Sequence, residues 1–360
     1  MDRRSAIRRA GIASVLATGL APAVHAQATV RWRLASSFPK SLDTIYGGSE
    51  VFAQAVKNLS GGKFEVVVHG GGELMPAFGV LKAVQNGHVE MAHTAPYYFY
   101  DQNQAFALGS AIPFGFNARQ MNAWMLHGNG RRLMDGFYAD YNIVSFAGGN
   151  TGTQMGGWYL KEIKDLSDFK GMKMRLGGGL VGEVMARMGV IPQDIPGGEI
   201  YQALQKRTID AAEWIGPYDD QKLGLNKAAS YYYYPGWWEG GLELDFYVHR
   251  KAYDALSAEN KAIVQAASAL AHADMLAKYD ALNPTALKQL VMAKTRVLPF
   301  SLPVLDAAFR TAMEVFALNE SRSPEWKSIY ADMRSFQRDQ IFWFRFAEAR
   351  YDSFMSTQRV

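Results

Sequence analysis

A chain of 360 residues, 49% of them hydrophobic, is long enough for about two domains with sizeable cores. It contains no Cys, which excludes a disulfide framework, a thiolate metal site and a cysteine nucleophile. The formal net charge of +4 is concentrated in residues 1–26, which hold four Arg and one Asp; residues 27–360 carry 34 Lys and Arg against 33 Asp and Glu, so neither a nucleic-acid partner nor an anionic membrane surface is implied.

Residues 1–26 have the layout of a cleavable export signal. Arg3, Arg4, Arg8 and Arg9 form a basic start, Ala10 to Val24 an apolar stretch too short to span a bilayer, and Val24-His25-Ala26 a small-residue cleavage site. The Arg3-Arg4 pair leaves both the twin-arginine and the Sec routes open. The mature chain is expected to be soluble and periplasmic.

Elements then follow in α/β order. Val30–Ala35 alternates as a strand, and Asp43–Leu59 reads as a helix with Ile45, Phe52, Ala55, Val56 and Leu59 on its buried stripe. Phe64–His69 is a second strand, a helix runs from about Pro76 to Asn86-Gly87, and Val89–Thr94 is a third strand. After Gly148 the pattern restarts: strands at Gly157–Leu160, Met172–Leu176 and Ile209–Trp214, helices at Gly182–Gly189 and Ile200–Lys206. Leu242–Val248 is a further strand. From Ser323, a good N-cap followed by Pro324, one long aromatic helix runs to the end. Its aromatic residues cover more than one face. It therefore either packs across both domains or also serves as an arm against a second copy.

Catalytic signatures are missing. There is no His-Glu-x-x-His, no Gly-x-Ser-x-Gly elbow and no phosphate-binding Gly-x-x-x-x-Gly-Lys-Ser/Thr loop, and His69, His88, His93, His127, His249 and His272 are scattered. Gly177, Gly179 and Gly182 do satisfy Gly-x-Gly-x-x-Gly between a strand and a helix. Asp194 and Glu199 are badly spaced for a ribose, however, and an exported protein meets no soluble dinucleotide. The glycines read instead as a turn that something approaches closely.

Arg175 ends its strand on the side opposite Met172, Met174 and Leu176, where open α/β sheets bind ligands, and a guanidinium is a natural partner for a carboxylate. Glu213 ends another strand, and Glu239 follows the run Tyr231–Trp238. Carboxylates in such apolar surroundings need an Arg partner or a bound cation, and oxygen ligands of this kind suit Na⁺ or Ca²⁺.

Five segments carry a resemblance: Trp32–Lys40 (WRLASSFPK), Gly148–Trp158 (GGNTGTQMGGW), Gly171–Arg175 (GMKMR), Ile209–Asp220 (IDAAEWIGPYDD) and Tyr232–Gly241 (YYYPGWWEGG). With them the chain resembles the periplasmic solute receptors of tripartite ATP-independent periplasmic (TRAP) transporters, in particular the 2-oxoacid-binding branch, over essentially its whole mature length. The resemblance implies a two-lobed α/β periplasmic binding protein fold with the ligand in the cleft between lobes, and a long C-terminal helix. Lobe I is expected at 27–148 plus about 238–285, lobe II at 149–237 plus about 286–322, and the arm at 323–360. The resemblance further implies that Arg175 grips the substrate carboxylate and that Asn150 bonds the substrate. Tyr97, Tyr98 and Trp214 are expected to line the pocket. The resemblance also implies that a Na⁺ or Ca²⁺ ion joins substrate and protein through Gln154, Glu213, the Trp214 carbonyl and Glu239. The implied activity is capture of a 2-oxoacid such as pyruvate, or a 2-hydroxy acid such as lactate, for delivery to TRAP membrane subunits, by a homodimer and without chemistry. An enzyme acting on the same acid, cation-assisted or dinucleotide-dependent, and a sensory receptor are the competing readings. Two departures from the family pattern stand out: the loop Gly177–Gly182 is one residue longer than usual, and Arg207 replaces a customary Gly before Thr208.

Overall fold

A computed structural model describes residues 29–358; the expected export signal lies outside them. Eleven strands form among the described residues: β1 (Val30–Ser36), β2 (Phe64–His69), β3 (Met91–Thr94), β4 (Ile143–Asn150), β5 (Trp158–Tyr159), β6 (Lys173–Arg175), β7 (Ile191–Gln193), β8 (Ala211–Ala212), β9 (Tyr231–Tyr234), β10 (Glu243–His249) and β11 (Arg296–Pro299). They build two sheets, ordered β2-β1-β3-β10-β4 and β11-β9-β5-β8-β6-β7. In the first, β1 is parallel to β2 and β3, while β10 runs antiparallel between β3 and β4. In the second, β6 is parallel to β7 and β8, and β5 is antiparallel to β8 and β9.

The first sheet follows from its sequence pattern. In β1, Arg31 and Arg33 face outward, whereas Trp32 and Leu34 are buried. The helix Gly47–Leu59 lays Phe52, Ala55 and Val56 on this sheet, with Phe52 packed 4.5 Å from Phe246 of β10. Leu59, expected on the same stripe, is 55% exposed because it lies in the last turn, where the helix leaves the sheet. The expected Asp43 start moves to Gly47, since residues 40–46 form turns.

Two segments carry the chain between the sheets, from β4 to β5 and from β9 to β10, and they run side by side. Thr151 N–H donates to Leu242 O at 3.1 Å, Gln154 N–H to Glu239 O at 3.2 Å, Gly236 N–H to Gln154 O at 2.9 Å and Gly156 N–H to Tyr233 O at 2.6 Å. A third connection is the 35-residue helix Ala258–Met292, about 52 Å long at 1.5 Å per residue. It starts at Ser257, whose hydroxyl accepts from Asn260 N–H. It packs on the helix Gly47–Leu59 and β4, and further along on the helix Pro217–Lys222 of the second sheet.

The C-terminal segment corrects one expectation. Ser323 caps it as expected, its hydroxyl accepting from Trp326 N–H at 3.0 Å. The segment is nevertheless two helices, Pro324–Phe346 and Glu348–Met355, broken at Ala347. The first turns bury Trp326, Ile329, Tyr330 and Met333 against the helices Ala118–His127, Gly130–Ala139 and Leu302–Arg322. No helix among the described residues is long and apolar enough to cross a membrane.

Candidate functional site

Arg175 stands at the carboxyl end of β6, beside β8, whose next residue is Glu213. Parallel pairing brings both strand ends to the same edge, and Glu213 N–H donates to Arg175 O at 3.1 Å. The guanidinium is almost wholly buried. Its Nη1 donates to Glu213 Oε2 at 2.8 Å and to Glu213 O at 2.7 Å, and its Nε donates to Ile195 O at 3.0 Å. The Trp214 ring lies against it, 5.0 Å from guanidinium carbon to ring centroid. That indole packs on Gly197, where a Cβ would fall 2.2 Å from the ring, so only glycine lets Trp214 reach this position. The Ile195 carbonyl was not foreseen, because a backbone acceptor leaves no mark in the side-chain pattern.

Around this cation the structure brings together the residues expected to hold a second one. Gln154 and Glu239 are buried neighbours on the two crossing segments. In this cluster three buried side-chain oxygens lack a hydrogen-bond partner: Gln154 Oε1, Glu213 Oε1 and Glu239 Oε2. An unsatisfied buried polar oxygen costs about 1–3 kcal/mol, more if charged, so three in one cluster call for a missing partner. Among the described residues no group of three His, Cys, Asp or Glu is placed to hold a metal. The donor set is instead two carboxylates and an amide, oxygen donors that fit a hard cation such as Na⁺ or Ca²⁺.

The electrostatics agree. Burial pushes Glu213 up from the ordinary carboxylate range, opposed by Arg175 and reinforced by Asp220. Glu239 is pushed well up by burial and then by Glu213, with Arg175 and the Tyr97 hydroxyl opposing. One guanidinium thus serves two buried carboxylates, and a further positive charge would relieve both.

Tyr97 and Tyr98 come from the 3-10 turn that follows β3, so they approach from the other sheet. Tyr97 is buried, and its hydroxyl is pushed well up by burial and by Glu239. Tyr98 is raised to about 12, by burial first, with Arg175 beside it opposing. Its ring meets Tyr97 edge-on at 5.0 Å and Phe78 at 4.9 Å. Asn150 is engaged elsewhere: its Nδ2 donates to Glu243 Oε2 at 2.9 Å, and its Oδ1 accepts from Gly152 N–H at 2.9 Å.

The glycine pattern has a different occupant from a pyrophosphate. A Cβ on Gly177 would lie 2.5 Å from the Tyr97 hydroxyl, one on Gly178 2.5 Å from the Tyr97 ring, and one on Gly179 2.7 Å from the Tyr100 ring. The close approach is made by tyrosines of the opposite sheet. At the turn before Thr208, Arg207 adopts φ +57°, the left-handed region that a Gly enters freely. His93 is a satisfied core histidine, bonded to Ser49 Oγ and Gly148 O, with its pKa lowered to about 3 by burial.

Further buried acids were not singled out by the sequence. Asp219 accepts from Thr44 and, at 2.7 Å, from Tyr279; Asp220 accepts from Trp158 Nε1 at 2.8 Å and the Tyr232 hydroxyl at 2.7 Å. Their partners are distant in sequence, so nothing local announces their burial.

Residues 35–320 match the family model described as bacterial extracellular solute-binding protein, family 7. The chain belongs to this family. Its members are extracellular solute receptors rather than enzymes, which removes the dinucleotide reading of Gly177–Gly182. A curated family relative from Nostoc sp. (strain PCC 7120) is 43% identical over the full length of both chains and is named a monocarboxylate 2-oxoacid-binding periplasmic protein. A TRAP transporter solute-binding protein of Bordetella bronchiseptica RB50 superposes with a TM-score of 0.90 at 45% identity, covering 91% of this chain and 97% of that one. It is described as a mixed-occupancy dimer with copurified calcium and picolinate bound. A TRAP solute-binding protein of Pseudoalteromonas atlantica, with bound sodium and pyruvate, gives 0.87 at 35% identity, covering 92% of this chain and 100% of that one.

Proposed function

We propose that this family member is the periplasmic receptor of a TRAP transporter for a small 2-oxo- or 2-hydroxy-monocarboxylate. The acid is held between Arg175 and a Na⁺ or Ca²⁺ ion, and is handed to the membrane subunits for uptake. The observation that carries this reading is the trio of unpartnered buried oxygens, on Gln154, Glu213 and Glu239, gathered around the Arg175 pocket. The Trp214 carbonyl completes the proposed cation ligands. A cation there supplies positive charge that offsets the two carboxylates and attracts the oxygens of the acid. Arg175 binds the carboxylate from the other side, Trp214 and Ile195 hold the guanidinium in place, and Tyr97 and Tyr98 wall off water so that each charged contact is stronger. Asn150 contributes its remaining amide hydrogen to the substrate.

The proposed lobes, 27–148 with about 238–285 and 149–237 with about 286–322, are supported by the membership of the two sheets. The arm 323–360 is proposed to join two copies. In support, Phe342, Trp343, Phe346, Tyr351 and Phe354 are all more than half exposed.

The test is calorimetric titration of pyruvate and lactate into protein that has been unfolded, washed free of ligand and refolded. The buffers are Na⁺, Ca²⁺ and choline. Tight binding that weakens in choline supports the reading; no binding in any buffer rejects the substrate class.

A further inference from the structure

Away from the carboxylate and cation cluster, a second contact joins the two sheets. Tyr100 follows the same turn as Tyr97, and its ring lies over Gly179, the first residue of the helix Gly179–Arg187 in the other sheet's layer. Its hydroxyl donates to Glu183 Oε2 at 2.9 Å and accepts from Asn319 Nδ2 at 2.9 Å. Tyr100 and Asn319 are both buried, and Asn319 belongs to the helix Leu302–Arg322, which packs on Gly179–Arg187. A phenol with one donor and one acceptor site used is fully satisfied, so this is a built contact.

The three glycines give it its shape. Side chains at Gly177, Gly178 or Gly179 would each collide with Tyr97, Tyr100 or Asp101. Gly178 is extended at φ −176° and Gly179 lies in a helix, so neither needs glycine for its backbone. What they need is space. The longer glycine loop is therefore a seat for the tyrosine turn.

We infer that Tyr100, with Glu183 and Asn319, is an affinity-setting latch: it touches no ligand, but holds the lobes closed over the acid. This rests on the two-lobed receptor reading above. Closing energy adds to ligand affinity because ligand binds the closed state, so weakening the latch raises the dissociation rate and leaves association nearly unchanged. Tyr100→Phe removes one hydroxyl and both its hydrogen bonds, and should weaken pyruvate binding about thirty-fold, the effect of two net hydrogen bonds. Gly179→Ala favours its helix but blocks the seat, and should weaken binding at least about ten-fold without lowering the ligand-free melting temperature.

The chain has no Cys, so Lys57→Cys and Lys170→Cys place a single pair of spin labels on exposed sites, one on each lobe. Distances between them are measured with and without pyruvate and Ca²⁺, alongside stopped-flow dissociation rates. Longer distances and faster dissociation in both variants support the latch. Unchanged distances and rates overturn it, as does a lower melting temperature with distances unchanged. Failure of the unmodified protein to bind pyruvate would reject the substrate class instead, and the ligand-free distances would then decide the latch alone.

Discussion

Arg175 and Glu213 are joined twice: one guanidinium nitrogen bonds both the side-chain Oε2 and the main-chain oxygen of the same glutamate, at 2.8 and 2.7 Å. The pair is buried on both sides, so removing either member strands the other's charge. Arg175→Ala should abolish carboxylate binding and cost about 3 kcal/mol of stability. Arg175→Ala combined with Glu213→Gln should recover much of the lost stability but none of the binding. Thermal unfolding and calorimetry on the single and double variants check this; carboxylate affinity surviving in either would remove Arg175 from the site.

Glu239 carries the cation prediction. Ca²⁺ at 100 times its dissociation constant should stabilise the unmodified protein by about 2.7 kcal/mol. In Glu239→Gln that gain should largely vanish, while the cation-free protein becomes no less stable, since one of two mutually repelling buried carboxylates is gone. Melting curves in Ca²⁺ and in choline read both effects. An undiminished Ca²⁺ gain in the variant would exclude Glu239 as a ligand.

Stability should depend on pH through acids outside the cluster. Burial raises Asp219 and Asp245 to about 7 and Glu243 to about 8, with hydrogen bonds from Thr44 and Tyr279, from Ser145, and from Asn150 opposing. In the unfolded chain such groups titrate near about 4. Between these values the unfolded state has released its protons and the folded state has not, so stability is highest near the lower value and falls as pH rises toward 7–8. Ligand-free protein in choline should melt at a lower temperature at pH 8 than at pH 5. Asp245→Asn should flatten that slope; a melting temperature rising over this range would contradict the assignment.

Arg207 is held at φ +57° in the turn that ends the helix Ile200–Gln205, with Thr208 N–H bonded to Ala203 O. Arg207→Gly should stabilise the protein by about 1 kcal/mol, because glycine adopts this conformation without a Cβ clash. Chemical denaturation measures the change, and ligand affinity should not move.

The exposed aromatic residues predict assembly. Phe342→Ser together with Phe346→Ser should convert a dimer to a monomer in light scattering while leaving pyruvate binding intact. If the unmodified protein is already monomeric at high concentration, the arm has no such role.

Much of this was legible in the sequence where the pattern is local. The alternation of β1, the strand Phe64–His69 and the cap at Ser323 all form where periodicity and capping placed them. Arg175 announced itself by standing at a strand end. The strands of the second sheet came out shorter than read, with Ile209–Trp214 reduced to Ala211–Ala212, because paired length depends on partners that periodicity does not specify. The break at Ala347 has a different cause for going unread: no Pro or Gly marks it. Glu239 stood out as a carboxylate after an aromatic run, whereas Gln154, an isolated amide in a glycine-rich run, was found only through family likeness. The tie between Tyr100, Glu183 and Asn319 joins residues up to 219 positions apart and has no local signal at all.

The paired crossing segments bear on how the molecule can bend. Hydrogen bonds from Thr151·Leu242 through Gln154·Glu239 to Gly156·Tyr233 make the two connections one ribbon. Two free tethers would let the halves twist and slide as well as open. A ribbon flexes easily in only one direction, like a leather hinge. Because Gln154 and Glu239 are part of that ribbon, a cation held between them as proposed would load the hinge itself and register occupancy as stiffness at the fold's axis.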